Sequence, residues 1–170
     1  MTIDSSAEVF PADPAATLET LTVRLMGQSD LPAVVSIDEA ASGRKRPRYF
    51  ELLLRRALSQ PALQVSLVAE HEGRVVGYLV ASLYYGEYGL VEPSASIDAV
   101  GVVQSLHGKG VGHALMRQLL LNLGGLRIET VRTEVAWDDL DLLAFLRREG
   151  FQPSGRLCLE RRIDPTSELE

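Results

Sequence analysis

The feature that most constrains the fold of this chain is a glycine-rich segment between two apolar stretches. Gly108, Gly110 and Gly112 lie between residues 96–103, which are β-branched and favour a strand, and residues 115–123, where leucines recur at helical spacing. Glycines let the backbone approach a ligand closely and point its N–H groups at an anion. The helix that follows adds the positive end of its dipole. The sequence therefore predicts a strand–loop–helix unit that suits a phosphate or pyrophosphate.

Two well-known phosphate loops do not match this segment. A Walker A loop needs a hydroxyl residue after its lysine, whereas Lys109 is followed by Gly110. The dinucleotide fingerprint needs a glycine where the chain has His113, and no early β-α-β unit precedes the loop. A glycine-containing turn without a ligand is the plain structural alternative.

Hydrophobic periodicity predicts the elements around the loop and hence the fold class. Their order is β-α-α-β-β-β-α-β-α-β-β, which predicts an α/β sandwich: a mixed, mostly antiparallel sheet of about six to seven strands flanked by about four helices. The predicted strands cover 21–25, 64–70, 74–84, 96–103, 128–135, a short piece at Phe151, and 157–163. The predicted helices cover 31–38, 48–58, 115–123 and 139–149.

Length and charge bound the organisation and the class of partner. The chain has 170 residues and a net charge of −6, which favours one domain and argues against a nucleic-acid partner. No apolar run reaches the ~18–20 residues that cross a membrane, and the N-terminus does not resemble a signal peptide. We expect a cytoplasmic protein with a flexible leader over 1–20, one folded domain over 21–163 and an acidic tail over 164–170.

Cysteine and histidine usage argues against a disulfide framework and a metal site. Cys158 is the single cysteine, and its alternating apolar neighbours predict an inert thiol in the core. His107 and His113 are not spaced as a metal pair with another ligand, so we predict no metal.

Two stretches resemble the motifs of the GNAT (Gcn5-related N-acetyltransferase) superfamily. The run His107-Gly108-Lys109-Gly110-Val111-Gly112 resembles the family's pyrophosphate loop, Gln/Arg-x-x-Gly-x-Gly/Ala, with histidine at its first position. The stretch that ends in Gly150-Phe151 resembles the motif Asn-x-x-Ala-x-x-Leu-Tyr-Glu-x-x-Gly-Phe. Asp139, Leu142 and Leu146 replace its Asn, Ala and Tyr. The resemblance covers residues 21–163 and implies a GNAT-like single domain that moves an acetyl group directly from acetyl-CoA to a primary amine in a ternary complex.

The resemblance also implies which residues bind acetyl-CoA. The main chain of Val100, Gly101 and Val102 would hold the pantetheine arm like an added strand, and one of its N–H groups would polarise the thioester carbonyl. The pyrophosphate would bind at the loop, and Asp139 stands at a further cofactor-binding position of the family motif. The loop residues concerned are His107, Gly108, Lys109, Gly110, Val111 and Gly112.

The acceptor amine must lose a proton, because an alkyl ammonium has a pKa of ~10.4. Two carboxylates are candidates for the general base. Asp98 lies in the β-branched strand, and period-two counting places it on the same face as Val100 and Val102. Glu134 lies on the neighbouring predicted strand. The structural alternatives are a charge paired at a strand edge for Asp98 and a solvated strand position for Glu134.

The remaining features leave the acceptor and the proton donor open. Leu146 cannot protonate the departing thiolate, but the thiolate can leave unaided because thiols have pKa values near ~8.5. Three tyrosines on the acceptor side could each contribute a hydroxyl: Tyr84, Tyr85 and Tyr88. The basic segment 44–56 suits a substrate carboxylate, an acidic interface or plain solvation.

Three classes of function therefore remain: an N-acetyltransferase for a small-molecule or peptide amine, a weakly catalytic acyl-CoA sensor, and an interaction domain without a ligand. Homodimers are common among such folds, but the sequence does not decide the oligomeric state or the acyl chain preferred.

Overall fold

The computed structural model describes residues 18, 20–59, 64–85 and 92–162. In this part of the chain, five strands form one sheet in the order β1-β2-β3-β4-β5. Neighbouring strands are antiparallel except for β4 and β5, which are parallel. The strands are β1 Thr22–Leu25, β2 Leu67–His71, β3 Arg74–Tyr84, β4 Ser94–Val102 and β5 Thr130–Thr133. The helices are α1 Leu31–Ser42, α2 Pro47–Ala57, α3 Val111–Gly125 and α4 Leu140–Arg148, with short 3-10 turns at Gln28–Asp30 and Gln104–Leu106.

Local sequence chemistry sets several of these boundaries. Glu72 and Gly73 both have positive φ, which suits the tight turn of the β2–β3 hairpin. Gly43, in the left-handed conformation at φ 66°, ends α1 by donating its amide to the Glu39 carbonyl at 2.9 Å. Pro47 occupies the first turn of α2, where its missing N–H costs nothing.

The sheet buries both faces. On one face, which we call the α3-side core, Leu115, Met116 and Leu119 of α3 pack with Leu79 and Ile97 of the sheet. Leu146 of α4 is buried in the same cluster.

On the other face, the α1–α2-side core joins Val34 and the Phe50–Leu54 turn of α2 to Tyr78 and Val80. This layering and the four helices confirm the predicted α/β sandwich with a mixed sheet.

The predicted number of strands is not confirmed: the described residues form five, not six to seven. Residues 151–162 contain no strand, and Leu157 and Leu159 are 88% and 89% exposed. Alternating apolar residues predict a strand only if a neighbouring strand completes the hydrogen bonds, and alternation does not say which neighbour that is. Cys158 is exposed as well, so the predicted core thiol is also wrong. Ile163 lies outside the described residues.

The proposed leader and tail fall mostly outside the described residues, so the boundaries at 20 and 164 stay predictions. Within the proposed leader, Leu18 packs against the α3-side core, and Thr20 Oγ1 lies 2.8 Å from His71 Nδ1. No helix in the described part of the chain combines the length and the apolar character of a membrane span.

Candidate functional site

The central feature of the site is a divergence between the parallel strands β4 and β5. Their pairing ends at Ile97 and Thr133, where Thr133 Oγ1 also donates to the Ile97 carbonyl at 3.0 Å. Strand β4 continues for five more residues, to Val102, and among the residues that the structure describes it pairs there with β3 alone. The edge of β4 that faced β5 is therefore open beyond Ile97.

The hydrogen bonding of Val103 shows which backbone groups this open edge presents. Its amide donates to the Val76 carbonyl of β3 at 2.9 Å. In a trans peptide the C=O of one residue points opposite to the N–H of the next, so the Val102 carbonyl points away from β3. By alternation the amides and carbonyls of Val100 and Val102 lie on the open edge, whereas those of Gly101 face β3. The ring Nε2–H of His107 donates to that Val102 carbonyl at 2.9 Å.

Gly101 has a packing role that the sequence analysis did not include. A Cβ atom at this position would lie 2.6 Å from Tyr78 Cε1, so only glycine lets the tyrosine ring lie against the β4 backbone. The Tyr78 ring is buried and meets the Phe50 ring edge-on at 5.7 Å. Burial raises the pKa of the Tyr78 hydroxyl above its usual range, so this group stays neutral at physiological pH.

The glycine loop ends at the N-terminus of α3 and leaves that terminus without a side-chain cap. Gly108 and Gly110 have φ values of 74° and 81°, which favour glycine. Gly110 is the N-cap of α3 and has no side chain that could accept from the helix, and no acidic residue lies in the first turn. The amides of Val111, Gly112 and His113 are the first of the helix, before its internal bonding starts at Ala114. This arrangement suits an anion.

Two contacts fix where this helix terminus sits. The Val111 side chain is buried, and its Cγ1 would lie 2.8 Å from a Cβ at Gly77, so glycine in β3 lets α3 approach the sheet. Gly112 similarly lets the Phe145 ring of α4 approach to 3.1 Å of its ideal Cβ position. Only the main chain of Val111 can therefore contribute to ligand binding, while Lys109 is exposed beside it.

Asp98 is the extra residue of a β-bulge. Val80 pairs with Ala99 and Ala81 pairs with Ile97, so Asp98 has no partner residue in β3. Its Oδ2 accepts a hydrogen bond of 2.5 Å from Ser82 Oγ.

The bulge reverses the side-chain alternation along β4. Ile97 and Val100 belong to the α3-side core, whereas Ala99 belongs to the opposite one. Ser82 lies two residues after Val80 in β3 and shares its α1–α2 face, and its hydroxyl bonds Asp98 there. The predicted common face of Asp98, Val100 and Val102 is therefore wrong, because period-two counting fails across a bulge.

The two candidate bases both stand where β4 and β5 diverge. Asp98 and Glu134 are the first residues beyond the last pair, Ile97 and Thr133. Asp98 is half-buried and hydrogen-bonded, whereas Glu134 is exposed.

A cavity of about 180 Å³ lies on the α1–α2 face beside Asp98's partner Ser82. Arg56 of α2 also lines it, and its Nη2 donates to the Tyr84 hydroxyl at 3.0 Å while the guanidinium lies over the Tyr84 ring. Sequence reasoning missed Ser82; its only signal is a polar residue within the apolar strand β3. Tyr85 lines the cavity, and Tyr88 lies outside the described residues. Among the described residues, the lining consists of Arg56, Ala57, Ser59, Ala81, Ser82, Leu83 and Tyr85.

Asp139 and Leu146 have structural roles. Asp139 Oδ1 accepts from the Leu142 amide at 3.1 Å and so caps α4. Leu146 is buried in the α3-side core and offers no hydroxyl. Within the described ranges, no three His, Cys, Asp or Glu side chains form a group that could hold a metal ion.

Comparison with known proteins identifies the family of the chain. Residues 31–151 match the acetyltransferase (GNAT) family. No curated protein sequence gives a significant match.

Three similar solved structures are Ard1 from Thermoplasma volcanium, ribosomal-protein-alanine N-acetyltransferase from Brucella melitensis biovar Abortus 2308, and AAC(6')-Iy in complex with the bisubstrate analogue CoA-S-monomethyl-acetylneamine. Their identities are 25%, 17% and 14%, with TM-scores of 0.67, 0.68 and 0.69. The matches cover 80%, 84% and 85% of this chain and 85%, 99% and 99% of the other chains. With a family match across most of its length and this shared fold, the chain belongs to the GNAT family of acetyltransferases.

Proposed function

We propose that the protein is an N-acetyltransferase that moves an acetyl group from acetyl-CoA to a primary amine by direct transfer in a ternary complex. The observation that carries this proposal is the open β4 edge, which leads through the glycine loop to an uncapped helix N-terminus. An extended, amide-containing arm attached to a pyrophosphate is the ligand that fits both parts. Acetyl-CoA has this form, and one similar protein is solved with a CoA bisubstrate analogue.

The donor would bind through backbone groups. The pantetheine amides would hydrogen-bond with Val100 and Val102 as an added strand does, and Gly101 would contribute by keeping that strand in place. The pyrophosphate would bind at the positive-φ glycines Gly108 and Gly110 and at the amides of the first turn of α3. His107 would position this loop through its bond to the Val102 carbonyl.

The loop residues His107, Gly108, Lys109, Gly110, Val111 and Gly112 thus remain the proposed binding set. Lys109 adds a positive charge beside the first amides of α3. The cap formed by Asp139 favours a positioning role for that residue, which holds α4 against the loop through Phe145 and Gly112.

The chemical step balances with the groups present. The amine nitrogen attacks the thioester carbonyl carbon, a C–N bond forms, the C–S bond breaks, and the sulfur leaves as a thiolate. A backbone N–H of the open edge would stabilise the negative charge that develops on the carbonyl oxygen. The proton lost by nitrogen ends on the base, and the thiolate takes a proton from water.

The 2.5 Å bond between Ser82 and Asp98 supports a route for that proton. The Ser82 hydroxyl donates to Asp98, so its oxygen lone pairs remain for an N–H group in the cavity. As the amine gives its proton to Ser82 Oγ, the serine proton moves to Asp98 Oδ2. Glu134, exposed at the same divergence, would attract a cationic amine rather than accept its proton.

A second candidate function is acyl-CoA binding with little catalysis, and the buried Leu146 at the family's tyrosine position favours it. Release of CoA thiol from acetyl-CoA, measured across an amine panel, separates the two. We expect release that depends on the amine; tight acetyl-CoA binding without release for any amine would favour the sensor.

A further inference from the structure

We propose that the acceptor is a small amine that carries an anionic group near its reactive nitrogen, and that Arg56 binds this group. The inference rests on the proposed acetyl transfer and adds the class of acceptor to it. It comes from the cavity on the α1–α2 face, where Arg56 and Ser82 line the same space.

The first argument is that the Arg56 guanidinium has no carboxylate partner among the described residues. Two other arginines near this face have carboxylate partners: Arg46 binds Asp38 with Nη2–Oδ1 at 2.6 Å, and Arg24 binds Asp30 at 2.8 Å. Within the described ranges, Arg56 forms no ion pair and donates to the Tyr84 hydroxyl alone. A guanidinium has five N–H donors, so most of its hydrogen-bonding capacity remains for a ligand.

The second argument is that the Arg56 side chain is already positioned. Its carbon Cζ lies 5.2 Å from the centroid of the Tyr84 ring, and its Nη2 bonds the hydroxyl of the same residue. A guanidinium that is already held in place loses less side-chain entropy on binding a carboxylate or a phosphate than a mobile guanidinium does. Arg56 is exposed, so a ligand can reach the N–H groups that do not bond Tyr84.

The third argument is the size of the cavity. Its volume is about 180 Å³, below the ~300–1,000 Å³ of sites that enclose drug-sized ligands. It has Ser82, bonded to the proposed base, and Arg56 in its lining. A space of this size accepts one small headgroup, so the nitrogen at Ser82 and the anion at Arg56 must belong to neighbouring parts of the acceptor. The rest of the acceptor would extend past the exposed ring of Tyr85.

The fourth argument is charge repulsion. Arg56 lies in the last turn of α2 and lines the cavity, whereas its neighbour Arg55 does not line it. The uncompensated positive charge at the cavity would repel a polycationic amine, whereas the anionic group of an aminocarboxylate or an aminophosphate would neutralise it.

The test compares matched amines in steady-state transfer with acetyl-CoA. Glycine and L-phenylalanine are compared with their amides, and phosphoethanolamine with ethanolamine, each rate being normalised to the neutral amine present. We expect kcat/KM to be at least about tenfold higher for the anionic member of a pair, as loss of a charged hydrogen bond implies. Preference for the carboxylates or for the phosphate identifies which anion is used, and each supports the proposal.

Variants assign the preference to Arg56. Arg56→Ala should lower kcat/KM for the anionic amines about tenfold or more and leave the neutral amines within about twofold, and Arg56→Lys should keep part of the preference. Arg55→Ala removes the same charge from the same helix and should leave the ratio of kcat/KM for anionic and neutral amines unchanged. Tyr84→Phe removes the hydroxyl that Arg56 binds, and equal losses for both amine classes in this variant and Arg56→Ala would mean that Arg56 only supports the fold.

The outcomes separate this inference from the proposed function. Transfer with equal rates for anionic and neutral amines would overturn the inference and leave the acetyltransferase standing. If no amine is acetylated, calorimetric titration of glycine and phosphoethanolamine into the CoA-bound protein decides: Arg56-dependent binding supports the anion site and contradicts the transferase. Absence of both transfer and binding overturns both.

Discussion

Replacing Gly101 with alanine should destabilise the fold and weaken acetyl-CoA binding together. The new Cβ atom would lie 2.6 Å from Tyr78 Cε1 and 2.9 Å from its Cζ, about 1 Å inside ordinary carbon–carbon contact. The Tyr78 ring is 2% exposed and packs edge-on against Phe50, so it cannot move without displacing the core. Overpacking of this kind costs about 1–3 kcal/mol. The strain that β4 absorbs would shift the backbone groups of Val100 and Val102, which we propose bind the pantetheine.

Thermal and urea unfolding followed by circular dichroism measure this cost. A loss of about 2 kcal/mol should lower Tm by about 4–8 °C for a chain of this length. Gly124→Ala is the matched control, because a Cβ there meets nothing within 4 Å and alanine favours the helix; we expect slightly higher stability. In a Tyr78→Leu background the cost of Gly101→Ala should fall by about 1 kcal/mol or more. An equal cost in both backgrounds would refute the packing argument.

Three further predictions concern the loop, the base and an ion pair. Gly110→Glu should abolish CoA-dependent stabilisation, because a negative side chain would stand at a φ of 81° beside the proposed pyrophosphate; unchanged CoA affinity of the folded variant by calorimetry contradicts the loop assignment. Asp98→Asn should lower kcat about 10²–10⁴-fold with partial recovery at high pH, and Ser82→Ala by a smaller factor; a pH profile identical to the parent's would remove Asp98 as the base. Hydrogen bonds from the Arg24 guanidinium lower the pKa of Asp30 below its ordinary 3.8, so their stabilisation is complete at neutral pH and lost as pH falls through the lowered pKa. Urea unfolding should therefore give a smaller difference in the free energy of unfolding between the parent and Arg24→Gln at about pH 2 than at about pH 6. A difference that stays constant over this range would be inconsistent with the ion pair.

The parts of the fold that the sequence predicts correctly are those set by local chemistry. The spacing of leucines after Gly112 predicts α3, and Gly108 and Gly110 have the positive φ that glycine favours in a loop. Such features depend on residues close together in the chain, so one sequence is enough to find them.

The parts that the sequence does not predict depend on long-range pairing. The bulge at Asp98 follows from the register of β4 against β3, and no residue type in β4 predicts it. The hydrogen bond with Ser82 joins residues sixteen positions apart, so the serine is found only when the strands are placed side by side. The alternation at Leu157 and Leu159 predicted a strand that the structure does not contain, because alternation does not supply a pairing partner.

Amide NMR of the protein titrated with CoA tests most directly whether the open β4 edge and the α3 terminus form the acetyl-CoA site. We expect the amides of Val100 and Val102 and those of residues 110–113 to shift and to exchange more slowly, whereas the amide of Gly101, directed at β3, keeps its exchange rate. CoA binding that shifts amides elsewhere, for example around the groove of α1 lined by Leu31, Val35 and Lys45, and leaves Val100, Val102 and the loop unchanged would contradict the proposed site.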